Sequence, residues 1–332
     1  MGNSSTTQAG EQDATKLGLM GQMAKTVRDV VADKAHPMVE QYATLFTAGA
    51  RTPVLRTPDD VGLEFEECWF PSADGVPLDA WFIPADSDKL LIVNHPMPCN
   101  RYGFPGHLAP WNALFGGFEV NFLPELKHLH DAGYNILTYD MRNHGRSGVG
   151  SGGLAGIGLL ECRDVLGSVQ YARSRPELAA MTTGLYSRCM GANSTIIALS
   201  KWPEEFAHIK AALFHQPAAG EALVRAAARF FKLDPDKMAE RTDQRIFELS
   251  GFRLAQMSPT SYAHAVTIPT MIVQLRRDWL MPPEAIEEIY DNLGATDKDL
   301  FWIEGSDQRF SGYNYFGQHP EPLIGWFDRR LN

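Results

Sequence analysis

The chain has 332 residues, 44% of them hydrophobic and 21% charged, with a formal net charge of −10 at pH 7. That length holds one large α/β domain with additions or two ordinary domains, and the composition is ordinary for a water-soluble globular protein. The negative balance and the lack of any basic run argue against a nucleic-acid groove and against anionic membrane surfaces.

No apolar run reaches the roughly 20 residues of a membrane span. The four cysteines, Cys68, Cys99, Cys162 and Cys189, form no CxxC pair, so neither a zinc site nor a disulfide framework is expected. No metal and no organic cofactor is expected. The polar opening lacks the apolar core of a signal peptide, and a reducing, cytoplasmic location is the default. "MGNSST" is similar to an N-myristoylation sequence, a short match beside the simpler reading of a polar tail.

Residues 1–16 read as a disordered tail. Residues 17–60 read as an N-terminal helical extension: Met20, Met23, Val27, Val30 and Val31 share one helical face, Pro37 interrupts, and Met38, Tyr42, Leu45 and Phe46 resume. This extension offers a surface for a homodimer or a cover for an active site. From residue 63 the period changes to that of strands. "LEFEECWFPS" and "VPLDAWFIPA" flank Asp74-Gly75, a hairpin signal. "KLLIVNH" and "YNILTYDM" are continuous apolar runs of the kind buried in a parallel sheet. A helix is expected over about 157–175, then the strand "MTTGLYS", a helix from Met190, and the strand in "IKAALFHQPA". Residues 220–259 read as a helical insertion placed like a lid. "PTMIVQLRRD" and "KDLFWIEG" supply the last strands, and "HPEPLIGWFDRRL" a closing helix. Alternating strands and helices predict a mostly parallel eight-stranded sheet with helices on both faces. The sheet core takes residues 61–219 and 260–332.

The chemistry gathers at "GLYSRCMGANST". A strand ends, a helix begins, and Cys189 stands at the tip with small residues two positions to either side, Ser187 and Gly191. A sharp strand-to-helix turn of this kind presents its central residue as a nucleophile and leaves room only for small neighbours. A thiol at a helix N-terminus is favoured in its reactive, ionised form. The Met190 N–H is placed for an oxyanion, and Met97, in the loop after the third strand, is the second donor because Pro96 has none.

These features together resemble the α/β-hydrolase superfamily from about residue 63 to the end. They are "VNHPMP" after the third strand, "YDMRNHGRSG" after the fourth, "LYSRCMGANST" at the turn and "LRRDWLMPPE" after the seventh. Cysteine as the nucleophile is similar to dienelactone hydrolases and to some cysteine thioesterases and cyclases of the superfamily. The resemblance implies an α/β-hydrolase fold with the triad order nucleophile, acid, histidine, and Asp278 matches the acid. Aligning the last loop on Phe310 puts Gln308 where histidine belongs. His95, His215 and His319 then stand as alternative bases, with Asp307 or Asp278 in the same role if none of them serves.

Without the histidine, a thiolate can still be acylated, but discharge by water lacks its base. Acyl transfer, cyclisation or carbon–carbon bond chemistry on an ester, thioester or lactone is therefore favoured over plain hydrolysis. An ordinary cysteine hydrolase using another histidine and a ligand-binding protein without turnover remain the alternatives. Tyr102, Phe104, Trp111, Tyr313 and Tyr315 are read as the substrate pocket, for a bulky apolar or aromatic small molecule. Phe230, Phe231, Phe247 and Phe252 are expected to close the lid over it.

Overall fold

The computed structural model describes residues 35–113 and 116–332. The tail at 1–16 and the helical face from Met20 to Val31 lie outside the described residues. The extension continues as α1 (His36–Thr47), with Pro37 in its first turn, where a missing N–H costs nothing.

β1 (Glu66–Pro71) and β2 (Pro77–Ile83) form the hairpin, and Gly75 takes φ 87° in its turn. That left-handed conformation carries a steric cost for residues with a Cβ. There follow β3 (Lys89–Asn94), α2 (Leu123–Asp131), β4 (Asn135–Tyr139), α3 (Cys162–Ser174), β5 (Thr182–Arg188), α4 (Met190–Lys201) and β6 (Ala211–His215). α5 (Gly220–Phe230) and α6 (Pro235–Ser250) come next, then β7 (Thr270–Leu275), α7 (Pro283–Asp291), β8 (Lys298–Ile303) and α8 (Glu321–Leu331). The eight strands make one sheet in the spatial order β1-β2-β4-β3-β5-β6-β7-β8. β2 is antiparallel to both neighbours, and every other pairing is parallel.

The apolar runs are continuous because helices cover both faces of the sheet. On one side α3, α4 and α7 contribute Val165, Val169, Ile196, Ile197, Ile286 and Ile289. On the other, α2 and α8 contribute Leu126, Leu129, Trp326 and Phe327. Each such side chain stabilises the fold by about 1.5–3 kcal/mol. α3 begins at Cys162 rather than near 157, because Ile157 and Gly158 both take positive φ, 48° and 116°, which no α-helix accepts. A small ribbon, Gly103–Phe104 with Val120–Asn121, stands in the loop after β3 and was not anticipated.

Residues 220–259 carry α5, α6 and a helical turn at Leu254–Met257. α1 lies along α6: Val39, Ala43 and Phe46 share an apolar cluster with Met238, Ala239 and Ile246, and Glu40 pairs with Arg245 at 2.9 Å. The expected aromatic closure fails. Phe230, Phe231 and Phe247 are 62%, 53% and 43% exposed, and only Phe252 is partly buried. Phe247 falls outside the stripe of Met238, Thr242 and Ile246 that α6 buries, and Phe230 and Phe231 stand at the end of α5, past its last buried residue, Ala228. Phe230 packs instead on Trp279, ring centroids 4.6 Å apart. No described helix is long and apolar enough to cross a membrane.

Candidate active site

β5 ends at Arg188 and α4 starts at Met190, leaving Cys189 between them at φ 47°, ψ −112°. A non-glycine residue held there costs about 1–3 kcal/mol, so its surroundings must impose the bend. The Cys189 N–H donates to His215 O at 2.9 Å, and Cys189 O accepts from the Asn193 N–H at 2.9 Å. Beneath the turn, Asn94 Nδ2 donates to Ser187 Oγ at 2.8 Å, and Ser187 Oγ meets Thr195 Oγ1 at 2.8 Å.

Gly191 is required by close approach. A Cβ there would meet Asn94 Cβ, Asn94 O and His95 O, each at 2.8 Å. Two of those atoms are backbone and cannot rotate away. Gly191→Ala is therefore expected to lower stability by about 1–3 kcal/mol, read from the urea midpoint; an unchanged midpoint would mean that β3 and α4 are not in such contact. The same contact brings the loop after β3 against the first turn of α4. The N–H groups of Met97 and Met190 have no hydrogen-bond partner among the described residues. An oxyanion formed at Cys189 would need two such unspent donors.

Asp278 follows β7 and is buried. The Leu280 N–H donates to Oδ1 and Gln274 Nε2 to Oδ2, both at 3.0 Å, and Arg309 Nη1 pairs with Oδ2 at 2.5 Å. Arg309 comes from the loop after β8. Its Nη2 donates to Gln216 O, and Gln216 Nε2 donates back to Arg309 O at 2.9 Å. One buried guanidinium thus ties together the loops after β6, β7 and β8. Burial alone would lower its pKa, but Tyr313, Asp278 and Cys189 around it push it up, and it stays charged.

Tyr313 is buried and its hydroxyl faces the Cys189 sulfur. Among the described residues that hydroxyl has no nitrogen or oxygen partner. The surrounding surface is apolar: Cys99, Phe104, Phe122 and Phe310 cluster with Tyr313, and Trp111, Phe118 and Cys189 pack against them. On the opposite side of the turn Arg188 is fully buried. It forms an ion pair with Glu125 and lies over the rings of Phe122 and Tyr186 at 4.2 and 4.1 Å. The Tyr186 hydroxyl donates to Glu125 Oε2 at 3.1 Å. Among the described residues no three His, Cys, Asp or Glu side chains gather to hold a metal ion.

No family model matches the chain. The uncharacterized protein YqkD of Bacillus subtilis is 22% identical over 213 residues, covering 62% of this chain and 68% of that protein. Among solved structures, the esterase Pf2001 of Pyrococcus furiosus is similar with a TM-score of 0.62 at 20% identity, over 86% of this chain and 100% of that one. DcsB, in a complex with its substrate analogue, gives 0.56 at 15% identity over 80% and 98%. The α/β hydrolase GrgF from a Penicillium species gives 0.53 at 15% over 81% and 99%.

The chain has the α/β-hydrolase fold.

In an α/β hydrolase the nucleophile follows the fifth strand, the acid the seventh and the histidine the eighth. The chain places Cys189 after β5 and Asp278 after β7. The residue that meets Asp278 from beyond β8 is Arg309, one position after the expected Gln308. Gln308 caps the short helix Arg309–Gly312 and is exposed, so its side chain does not join the acid. Asp307 is exposed as well.

Of the alternative histidines, His95 is fully engaged in hydrogen bonds. His95 Nε2 accepts from the Met141 N–H at 2.9 Å, which leaves the proton on Nδ1 to be donated to Pro96 O at 2.9 Å. Burial holds its pKa well below the usual histidine range. His215 points with Arg188 toward the Tyr186–Glu125 group: its Nδ1 meets the Tyr186 hydroxyl at 3.1 Å, and its ring packs on Tyr313 and Phe316. Burial likewise keeps it neutral. His319 is exposed, its ring tilted against Tyr315 with centroids 4.8 Å apart. Both line a depression of about 350 Å³ with Phe118, Ser306 and Ser311, whose lining includes neither Cys189 nor Asp278.

Of the expected pocket residues, Phe104, Trp111 and Tyr313 gather with Cys189. Tyr102 and Tyr315 do not. The Tyr102 hydroxyl donates to Glu119 at 3.0 Å, and both rings belong to the cluster under α2 and α8.

Proposed function

We propose that the chain is an acyl-transferring enzyme. Cys189 takes an acyl group from an ester, thioester or lactone and passes it to a nucleophile other than water. The observation that carries this reading is Arg309. It stands opposite Asp278, where a hydrolase holds the base that activates water. A guanidinium has five donors, no acceptor and no accessible neutral form, so it cannot take a proton from water. It can balance the charge of an ionised sulfur and of a tetrahedral intermediate whose oxyanion accepts from the Met97 and Met190 N–H groups. The collected state is then a thioester on Cys189, which waits for an amine, an alcohol, a thiol or a carbon nucleophile bound beside it. The aromatic surface of Phe104, Trp111, Phe310 and Tyr313 suits an apolar or aromatic acyl group. The names of the neighbours, an esterase and an α/β hydrolase, are in keeping with acyl chemistry.

Intact-mass measurement after mixing with a p-nitrophenyl ester tests the reading. One acyl group per chain is expected to persist in buffer and to leave within the mixing time on addition of hydroxylamine or a thiol. Cys189→Ala is expected to show none. Rapid multiple turnover in buffer alone would overturn transfer in favour of hydrolysis. No adduct on the wild-type chain would overturn the cysteine mechanism in favour of a binding protein.

A further inference from the structure

We propose that Tyr313 is the proton carrier of this site, a catalytic residue that does through its phenol what the absent imidazole does elsewhere. The inference rests on the cysteine reading above and deepens it. Any transfer through Cys189 needs a proton moved twice: onto the leaving group when the thioester forms, and off the acceptor when it breaks. Arg309 can do neither. His95 has both nitrogens in structural hydrogen bonds; His215 spends Nδ1 on Tyr186, and burial, with Arg188 and Arg309 nearby, leaves its other nitrogen a weak base.

Tyr313 meets the requirements by position. Its hydroxyl is sealed from solvent and faces the sulfur. Among the described residues no nitrogen or oxygen holds it, and the Cys189 sulfur is the group placed to share its proton, an unusual state for a buried hydroxyl. Donors of this kind often tighten only when substrate arrives. The groups facing it are the Arg309 cation, the Cys189 and Cys99 sulfurs, and the His215 ring. Phe310 packs on its ring edge at 5.4 Å and fixes its direction. Burial holds the phenol well above its usual pKa, so at neutral pH it carries its proton. Arg309 pulls the other way and is the charge that tolerates a transient phenolate.

The steps balance. The Cys189 thiolate attacks the acyl carbon, a C–S bond forms, and the intermediate collapses with loss of the leaving group. That anion takes the Tyr313 proton and leaves neutral, and the phenolate rests against Arg309. The acceptor then gives its proton to the phenolate as its lone pair attacks the thioester. The C–S bond breaks, and thiolate and phenol are restored.

Tyr313→Phe separates this from a packing role, because the ring is kept and only a hydroxyl with no nitrogen or oxygen partner is lost. Single-turnover acylation is followed by intact mass with two esters of one acyl chain. A p-nitrophenyl ester, whose leaving group departs as a stable anion, is expected to react nearly as fast as in wild type. An ethyl ester, whose alkoxide must be protonated, is expected to slow about 10²-fold or more, while the melting temperature stays or rises. Equal slowing with both esters, or no slowing with either, overturns the proposal while leaving Cys189 as the acyl carrier. Failure of the wild-type chain to form any adduct overturns the cysteine reading and this proposal with it.

Discussion

Arg309→His is expected to turn the protein into a hydrolase. The guanidinium sits against Asp278 Oδ2, and Cys189 contributes to its electrostatic surroundings. An imidazole on the same backbone position would find Asp278 ready to orient it and a sulfur to serve. It would also supply a base that is free at neutral pH, whereas the Tyr313 phenol keeps its proton when p-nitrophenolate leaves as a stable anion. General-base assistance is worth about 10²–10⁴ in rate. A gain near 10² in steady-state hydrolysis of a p-nitrophenyl ester is the expected result, since the shorter side chain gives up the clamp on Gln216 O. The pH profile gives a second readout. The new base works only when neutral, so the variant's rate should climb as pH rises through about 6.5, a limb that wild type lacks. Gln308→His is expected to change little, because that side chain faces out. Unchanged hydrolysis in Arg309→His, with the Cys189 adduct still forming, would show that access of water and not the missing base limits discharge.

Glu125→Gln is expected to have the largest effect on stability, a loss of about 3–5 kcal/mol. Arg188 immediately precedes Cys189 and is sealed from solvent, with Nε and Nη1 unpartnered among the described residues. Glu125 is its counter-charge. The rings of Phe122 and Tyr186 attract the cation but do not neutralise it. Burial pushes the Glu125 carboxyl up and Arg188 draws it down, the mark of a pair that each member needs. Removing one member leaves the other charge in a dry interior, against a total stability of about 5–15 kcal/mol. Urea unfolding at constant slope measures the loss. Glu125→Gln combined with Arg188→Met should recover much of it, because an unbranched side chain fits between the same two rings. A loss below about 1 kcal/mol would mean that the pair is solvated as a surface pair is.

The strands were legible because a sheet covered on both faces needs unbroken apolar runs, and "KLLIVNH" and "YNILTYDM" are such runs between turn residues. The turn at Cys189 was legible for a steric reason: a bend at φ 47° admits only small neighbours, and Ser187 and Gly191 announce it. The loop after β8 was not. Spacing from Phe310 put the inward side chain at 308, but the direction there is decided by a four-residue helix that starts one position later. Such a short element has no period to read. The same holds for the two-residue ribbon strands. Tyr313 was read as pocket lining; that its hydroxyl lacks a nitrogen or oxygen partner is a fact of three dimensions. Tyr102 and Tyr315 were placed in the pocket on sequence proximity to the site, and the sheet put them on its other side. Glu125 and Arg188, separated by 63 residues, gave no signal, because no local period links residues so far apart.

The clasp between α1 and α6 carries a consequence for how the chain is made. Glu40 and Arg245 are 205 residues apart. α1 leaves the ribosome with Val39, Ala43 and Phe46 uncovered, and the helix that shelters them is translated only after six of the eight strands. For that interval the nascent chain presents a greasy, unpaired face of the sort that chaperones bind and neighbouring chains stick to. The packing of α1 is thus settled only when α6 emerges, long after α1 itself is made.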